Sequence, residues 1–236
     1  MAVTLSSIIN IFAVPTEVFH NIKASPKWLT AFCFITIISI IYGYFMLPFS
    51  QRIMIESFSS KMDTEQVQKA ISISERFKYI GLLFVPLILL IKWLFLSLFL
   101  YFSAILLNAQ EVNSKAVFTV VVHSELILLL MGVFNLLILY LKGVESINNI
   151  TDLNAIIGLD YFLADRSHNI PLFTFLNNLN VFSLWYVATL AIGISVLTNF
   201  SKLKSVILVS SIWLLGIGMQ VALAMFSANI QHISGQ

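Results

Sequence analysis

Five runs of about 20 or more apolar residues dominate this chain, and no other feature so limits its fold. They cover residues 29–49, 80–107, 116–141, 181–200 and 205–228. The hydrocarbon core of a bilayer is about 30 Å thick, the length of about 20 apolar helical residues. Each run is apolar all round and lacks the alternation of a membrane β-barrel, so the spacing predicts helices. The expected fold class is all-α: a polytopic five-helix transmembrane bundle. An odd number of spans puts the two ends in different compartments.

Composition excludes the main soluble alternatives. Of 236 residues, 59% are hydrophobic and 10% charged, against roughly 45–50% and about 25% in soluble domains. A net charge of +2 is too small for a nucleic-acid binder with a broad basic face. The single cysteine, Cys33, and four scattered histidines argue against a disulfide, a thiolate metal cluster or a zinc site. No cofactor and no metal site are expected.

The first run reads as a retained span, since a long stretch precedes it and no small-residue cleavage site closes a short apolar core. Pro48 is expected at its end, where a lost backbone donor matters little. Pro86 lies inside the second run and is expected to kink or half-break it near Leu82. Before the spans, Leu5, Ile8, Ile9, Phe12, Phe19 and Ile22 fall on one helical side, with Ser6, Ser7, Asn10, Thr16, Glu17 and Asn21 elsewhere and an interruption at Pro15. Residues 1–28 therefore read as an interfacial amphipathic segment ahead of a transmembrane domain over 29–236. A helix packed on the bundle's own edge fits the same pattern.

The connection 50–79 is the most charged, and Asp63 with Gln66 suggests a capping box for a helix leading into the second span. The segment 142–180 carries Asp152, Asp160, Asp165, Arg166 and His168 among apolar residues, and is expected to lie on the surface. Connections 108–115 and 201–204 are short and make their flanking spans antiparallel neighbours. No transporter-type internal repeat is visible.

One face of the membrane would carry Lys23, Lys27, Lys115, Lys202 and Lys204, the other Arg52, Lys61, Lys69, Arg76, Lys78, Lys142 and Arg166. Raw Lys and Arg count favours the second face, but that face also holds most of the acids and the longer loops. The positive-inside rule does not decide the orientation.

Lys92, Glu125, His123 and Asn135 are the polar candidates within spans. A mid-span lysine costs about 2.5–3.5 kcal/mol on insertion scales and calls for a substrate or proton site, a bonded position between helices, or snorkelling. Glu125 is the obvious partner. Counted from the turn between their spans, however, the two differ in depth by roughly 10 Å at ~1.5 Å per residue, and their side chains lean in opposite directions. The expectation is that Lys92 and Glu125 do not pair directly, leaving Glu125 near the interface or neutralised by desolvation. His123 and Glu125 lie about 200° apart on a helix and form no metal motif. Ser195 lacks the following glycine of a nucleophile elbow. Asn149-Ile-Thr151 and Asn199-Phe-Ser201 match the glycosylation pattern, as triplets do by chance in an Asn-rich chain.

Gly218 with Ala222, Ala224 with Ala228, and Thr189 with Gly193 have the spacing of close helix contacts, expected mainly within the chain. Gln220, Asn135 and Ser195 could add interhelical hydrogen bonds.

Two stretches resemble the Yip domain (Ypt-interacting protein) family, in particular its bacterial members. One is IINIFAVPTEVFHNIKASPKW, with Pro15, Phe19, Ile22, Pro26 and Trp28. The other is LNNLNVFSLWYVATLAIGISVLTNFSKLKSV, with Leu179, Asn180, Phe182, Trp185, Tyr186 and Gly193 before a short basic turn. Where many relatives have a glycine leaving the second span, this chain has Asn108, and Lys92 is no family hallmark. The resemblance implies five helices, a cytoplasmic N-terminus, a bacterial inner-membrane location and no known enzymatic activity.

The preferred reading is a non-catalytic bundle that organises membrane or binds protein partners through its N-terminal segment and residues 180–186. The bilayer, protein partners or a homo-oligomer are the expected contacts. The alternative is a small channel or carrier lined by Lys92, His123, Glu125 and Asn135.

Overall fold

In lipid every backbone donor must find an acceptor inside the chain, and all five apolar runs do so as helices. The computed structural model describes residues 5–59, 63–109 and 111–234. Lys61 and the side chains of Leu5, Ser6 and Ala228, which enter the sequence reading, lie outside the described residues. The described helices are α1 (Leu5–Ala13), α2 (Pro15–Ala24), α3 (Leu29–Ser59), α4 (Thr64–Phe77), α5 (Ile80–Leu106), α6 (Ser114–Lys142), α7 (Ile170–Asn178), α8 (Val181–Thr198) and α9 (Lys202–Ser234). No strand occurs among the described residues. Helices α3, α5, α6, α8 and α9 are each long and apolar enough to cross a membrane, and the chain is an all-α integral membrane protein.

The chain packs into two units, each with its own core. The first comprises the residues up to 37, 87–130 and 181–219; the second comprises 38–86, 131–180 and the residues from 220. In the first, α6 is the central helix, and every residue from Thr119 to Ile127 is buried. Around it α5 fully buries only Trp93, Ser97, Leu100 and Ala104, a stripe at steps of four and three flanked by partly buried Leu89, Leu96 and Tyr101, and leaves most of its other apolar side chains outward. That is the surface expected of a helix half-wrapped in lipid. In the second unit Phe49, Leu139, Ile147 and Ala155 form a smaller core.

Two expectations about the spans are corrected. Helix α3 does not end near Pro48 but continues through it to Ser59. A proline removes one backbone donor and crowds the preceding turn. Nearby, the Tyr140 hydroxyl donates to the Phe45 carbonyl at 3.0 Å, one residue beyond the Tyr44 carbonyl that the proline leaves without its helical donor. Likewise α5 is a single helix through Pro86 with no break at Leu82; the interruption falls earlier, at the turn Lys78–Tyr79 that separates it from α4.

Asn108 has φ 61°, the left-handed conformation glycine usually supplies after a helix. Asparagine is among the few other residues that adopt it readily. The departure from glycine therefore keeps the backbone geometry. Asn199, with φ 57°, plays the same part after α8.

Candidate functional site

The two stretches that carried the family resemblance pack against each other. Val18, Phe19 and Ile22 are the buried residues of α2, and they share one core with α8. The contact requires a glycine. A Cβ on Gly193 would lie 3.2 Å from Phe19 Cε2 and still closer to Val120 Cγ1. Phe12 meets Trp185 edge-on, with ring centroids 5.8 Å apart, and Trp28 packs edge-on against Phe118 at 5.4 Å. Ile8, Phe12, Phe19 and Ile22 of the apolar side of α1 and α2 thus pack into the chain's own core, whereas Ile9, expected on that side, is exposed. Their outward residues include Asn10, Thr16, Glu17, His20 and Asn21.

Charge fixes the far end of this contact. Lys23 Nζ donates to the Val196 carbonyl at 2.7 Å and to Asn199 Oδ1 at 2.9 Å, placing a cation on the negative end of α8. Lys204 caps α5 in the same way, donating to the Leu107 carbonyl at 2.8 Å over the Phe200 ring. Sequence reasoning missed both, although each lysine lies close in sequence to a helix terminus. Within the resemblance motif, Asn180 and Tyr186 are buried, Pro15, Pro26, Phe182 and Trp185 are partly buried, and Phe19 with Gly193 is the pair brought into contact.

The expectation that Lys92 and Glu125 diverge is overturned: Lys92 Nζ lies 2.5 Å from Glu125 Oε1. The error lay in counting turn residues as helical rise. Measured from the helix ends, Lys92 lies 14 residues before Leu106 and Glu125 11 residues after Ser114. The remaining offset of three residues is about 4.5 Å, within reach of a lysine side chain. Glu125 is 8% exposed at its side chain and Lys92 48%, so a buried carboxylate holds an ammonium at the outer surface of α5. His123 is not part of this pair; its Nδ1 donates to the Thr119 carbonyl at 2.8 Å.

Asn135 belongs to the second unit, where it hydrogen-bonds Tyr42 of the neighbouring span α3, as expected, and also fastens a connection. Its Nδ2 donates to the Leu153 carbonyl at 2.9 Å, and its Oδ1 accepts from the amides of Ala155 at 2.7 Å and Ile156 at 3.3 Å. The same connection is built around Asp160, fully buried, which pairs with Arg166 at 2.7 Å and accepts from the Gly158 amide at 2.7 Å. Asn149 serves here as the cap of the turn Ile150–Leu153, in a box with Asp152. Of the other expected interhelical bonds, Gln220 accepts from Asn178 at 3.4 Å, whereas Ser195 donates locally to the Phe200 carbonyl at 2.9 Å.

The small-residue pairs divide. Thr189 and Gly193 are buried in the core. Gly218, by contrast, has nothing within 4 Å of where a Cβ would stand, and Ala222 is exposed. The expected packing of Gly218 and Ala222 within the chain is therefore corrected: the inward stripe of α9 runs through Leu208, Val209 and Ile217. No cluster of three His, Cys, Asp or Glu side chains able to hold a metal occurs among the described residues.

Five apolar helices with an N-terminal helix pair docked on the fourth span define a class of polytopic helical membrane protein. The profile of the Yip1 domain matches residues 9–223, and the chain belongs to the Yip1 domain family. Comparison with curated proteins and with solved structures gives no match.

Proposed function

We propose that this Yip1-family protein is a non-catalytic membrane scaffold that binds a protein partner through the outward side of α1 and α2. One observation carries the reading. The apolar side of the pair is locked into the core by Phe19 over Gly193 and by Lys23 on the end of α8, while Glu17, His20 and Asn21 stand exposed. A helix held rigidly loses little conformational entropy on binding. In this reading the N-terminus is cytoplasmic and the membrane is the bacterial inner membrane, as the family resemblance implies.

A photo-crosslinking residue placed at Asn21 in cells should trap a discrete protein adduct, and the same residue at outward-facing Leu83 should not. Equal labelling at both positions would end the proposal. Reporters fused at residues 1 and 236 should read cytoplasmic and external, respectively. The alternative, a channel or carrier lined by Lys92, His123, Glu125 and Asn135, retains only Lys92 and Glu125 as a contact. Proton flux in reconstituted liposomes that disappears in Lys92→Leu would support it instead.

A further inference from the structure

Beside the Lys92 surface, a groove of about 340 Å³ lies open along α5 and the start of α6. Leu90, Leu94 and Leu98 run along α5 as its apolar wall, joined by Phe118 and Trp28. From Leu90 to Tyr101 the wall extends about 16 Å at ~1.5 Å per residue, close to half the roughly 30 Å hydrocarbon thickness. That is the depth of one leaflet.

The end of the groove is different. Tyr101, Ser114 and Lys115 line it there, and Trp28 and Tyr101 are the residue types that favour the headgroup level. Lys23 and Lys204 are spent on helix ends. The ammonium of Lys115 is exposed and finds no hydrogen-bond or ion-pair partner among the described residues. Helix α6 also begins here. Asn113 accepts from the amides of Ala116 and Val117, which leaves the Ser114 and Lys115 amides without intrahelical acceptors.

We infer that this groove is a binding site for an anionic phospholipid, with one acyl chain along Leu90, Leu94 and Leu98 and the phosphate on Lys115. Charge complementarity selects that occupant. A neutral hydrocarbon would leave the ammonium unmatched, and a free anion would leave the apolar wall bare. An anionic amphiphile satisfies both ends, combining the positive end of a helix with a basic side chain.

The test uses the full-length protein in detergent, with retention of phosphatidylglycerol and of phosphatidylcholine with the same chains measured by native mass spectrometry. Phosphatidylglycerol should be held in preference. Lys115→Gln, a change at an exposed site, should weaken it about five-fold, the usual effect of one basic residue at an anionic headgroup, and should weaken phosphatidylcholine less, because its choline cation already offsets its phosphate. A second variant, Leu98→Trp, fills the groove from its outer side and should weaken both lipids. Equal retention of the two lipids, or unchanged phosphatidylglycerol binding in Lys115→Gln, would overturn the inference. So would displacement of the lipid by inorganic phosphate alone, since a free anion would then suffice.

Discussion

The ring of Phe19 lies against Gly193, its Cε2 and Cζ each 3.2 Å from where a Cβ would project, and Val120 closes the same space from α6. Three helices thus meet at a point with no room for a methyl group. Gly193→Ala should destabilise the protein by about 1–3 kcal/mol, the usual range for overpacking a filled core. Val120 makes the nearer contact, so adding Val120→Ala should recover part of the loss. Thermal unfolding in detergent of the two single variants and the double variant reads the coupling. Strictly additive effects would mean that the two side chains do not share this space.

The Lys92 to Glu125 pair makes an asymmetric prediction. Removing one partner of a buried pair costs about 3–5 kcal/mol because the other charge is left uncompensated. Here the carboxylate is the buried member and the ammonium is half exposed. Lys92→Met should therefore be the more damaging single change, at about 3 kcal/mol, and Glu125→Gln milder. The combination Lys92→Met with Glu125→Gln should be more stable than Lys92→Met alone. A loss in the double variant equal to the sum of the two single losses would show that the pair carries no coupling energy.

Span number and class were legible in the sequence because they depend on a length set by the bilayer. Side-chain meetings were harder to read. The Lys92 to Glu125 pairing depends on where α5 ends and α6 begins, which a count of residues from the middle of the connection does not contain. Pro48 reads as a terminus, yet α3 carries it inside the helix as far as Ser59. Gly218 and Ala222 share the spacing of Thr189 and Gly193, but spacing does not say which side of a helix faces the core. The family motif was visible as two separate stretches, and only the fold places Phe19 on Gly193.

Asn135 anchors the connection between α6 and α8 through three bonds to its backbone. Asn135→Leu removes them and leaves the Ala155 amide, a buried donor, without its acceptor, at a cost of about 1–3 kcal/mol. The loss should be local. Hydrogen exchange over residues 150–156 should quicken while the Thr119–Ile127 stretch of α6 stays protected. Uniform loss of protection across the protein would contradict this.

Within the same connection, Asp165 has its carboxyl held below the ordinary carboxylate value of 3.8 by hydrogen bonds from the Ser167 hydroxyl and amide. A depressed folded-state value stabilises the turn above the unfolded value, and that contribution is lost as pH falls through the folded one. Acidification below about pH 4 should therefore loosen residues 165–168, read as faster amide exchange relative to neighbouring exposed loops. Ser167→Ala should move the onset to higher pH; an unchanged onset would separate the carboxyl from the turn.

The N-terminal pair supplies the last prediction, because its packing reverses what an interfacial segment would suggest. If residues 1–25 only lay on the membrane, their deletion would leave the bundle intact. Instead Ile8, Ile11, Val18, Phe19 and Ile22 are buried in the core of the first unit, each worth about 1.5–3 kcal/mol of apolar burial. Deletion also strips the Lys23 cap from α8 and uncovers Gly193. The truncated protein should unfold or aggregate on extraction, whereas Glu17→Lys and Asn21→Ala, which alter only the exposed side, should purify with wild-type stability. Size-exclusion profiles of the three variants in one detergent decide the matter: a monodisperse truncation would return α1 and α2 to the role of a detachable surface segment.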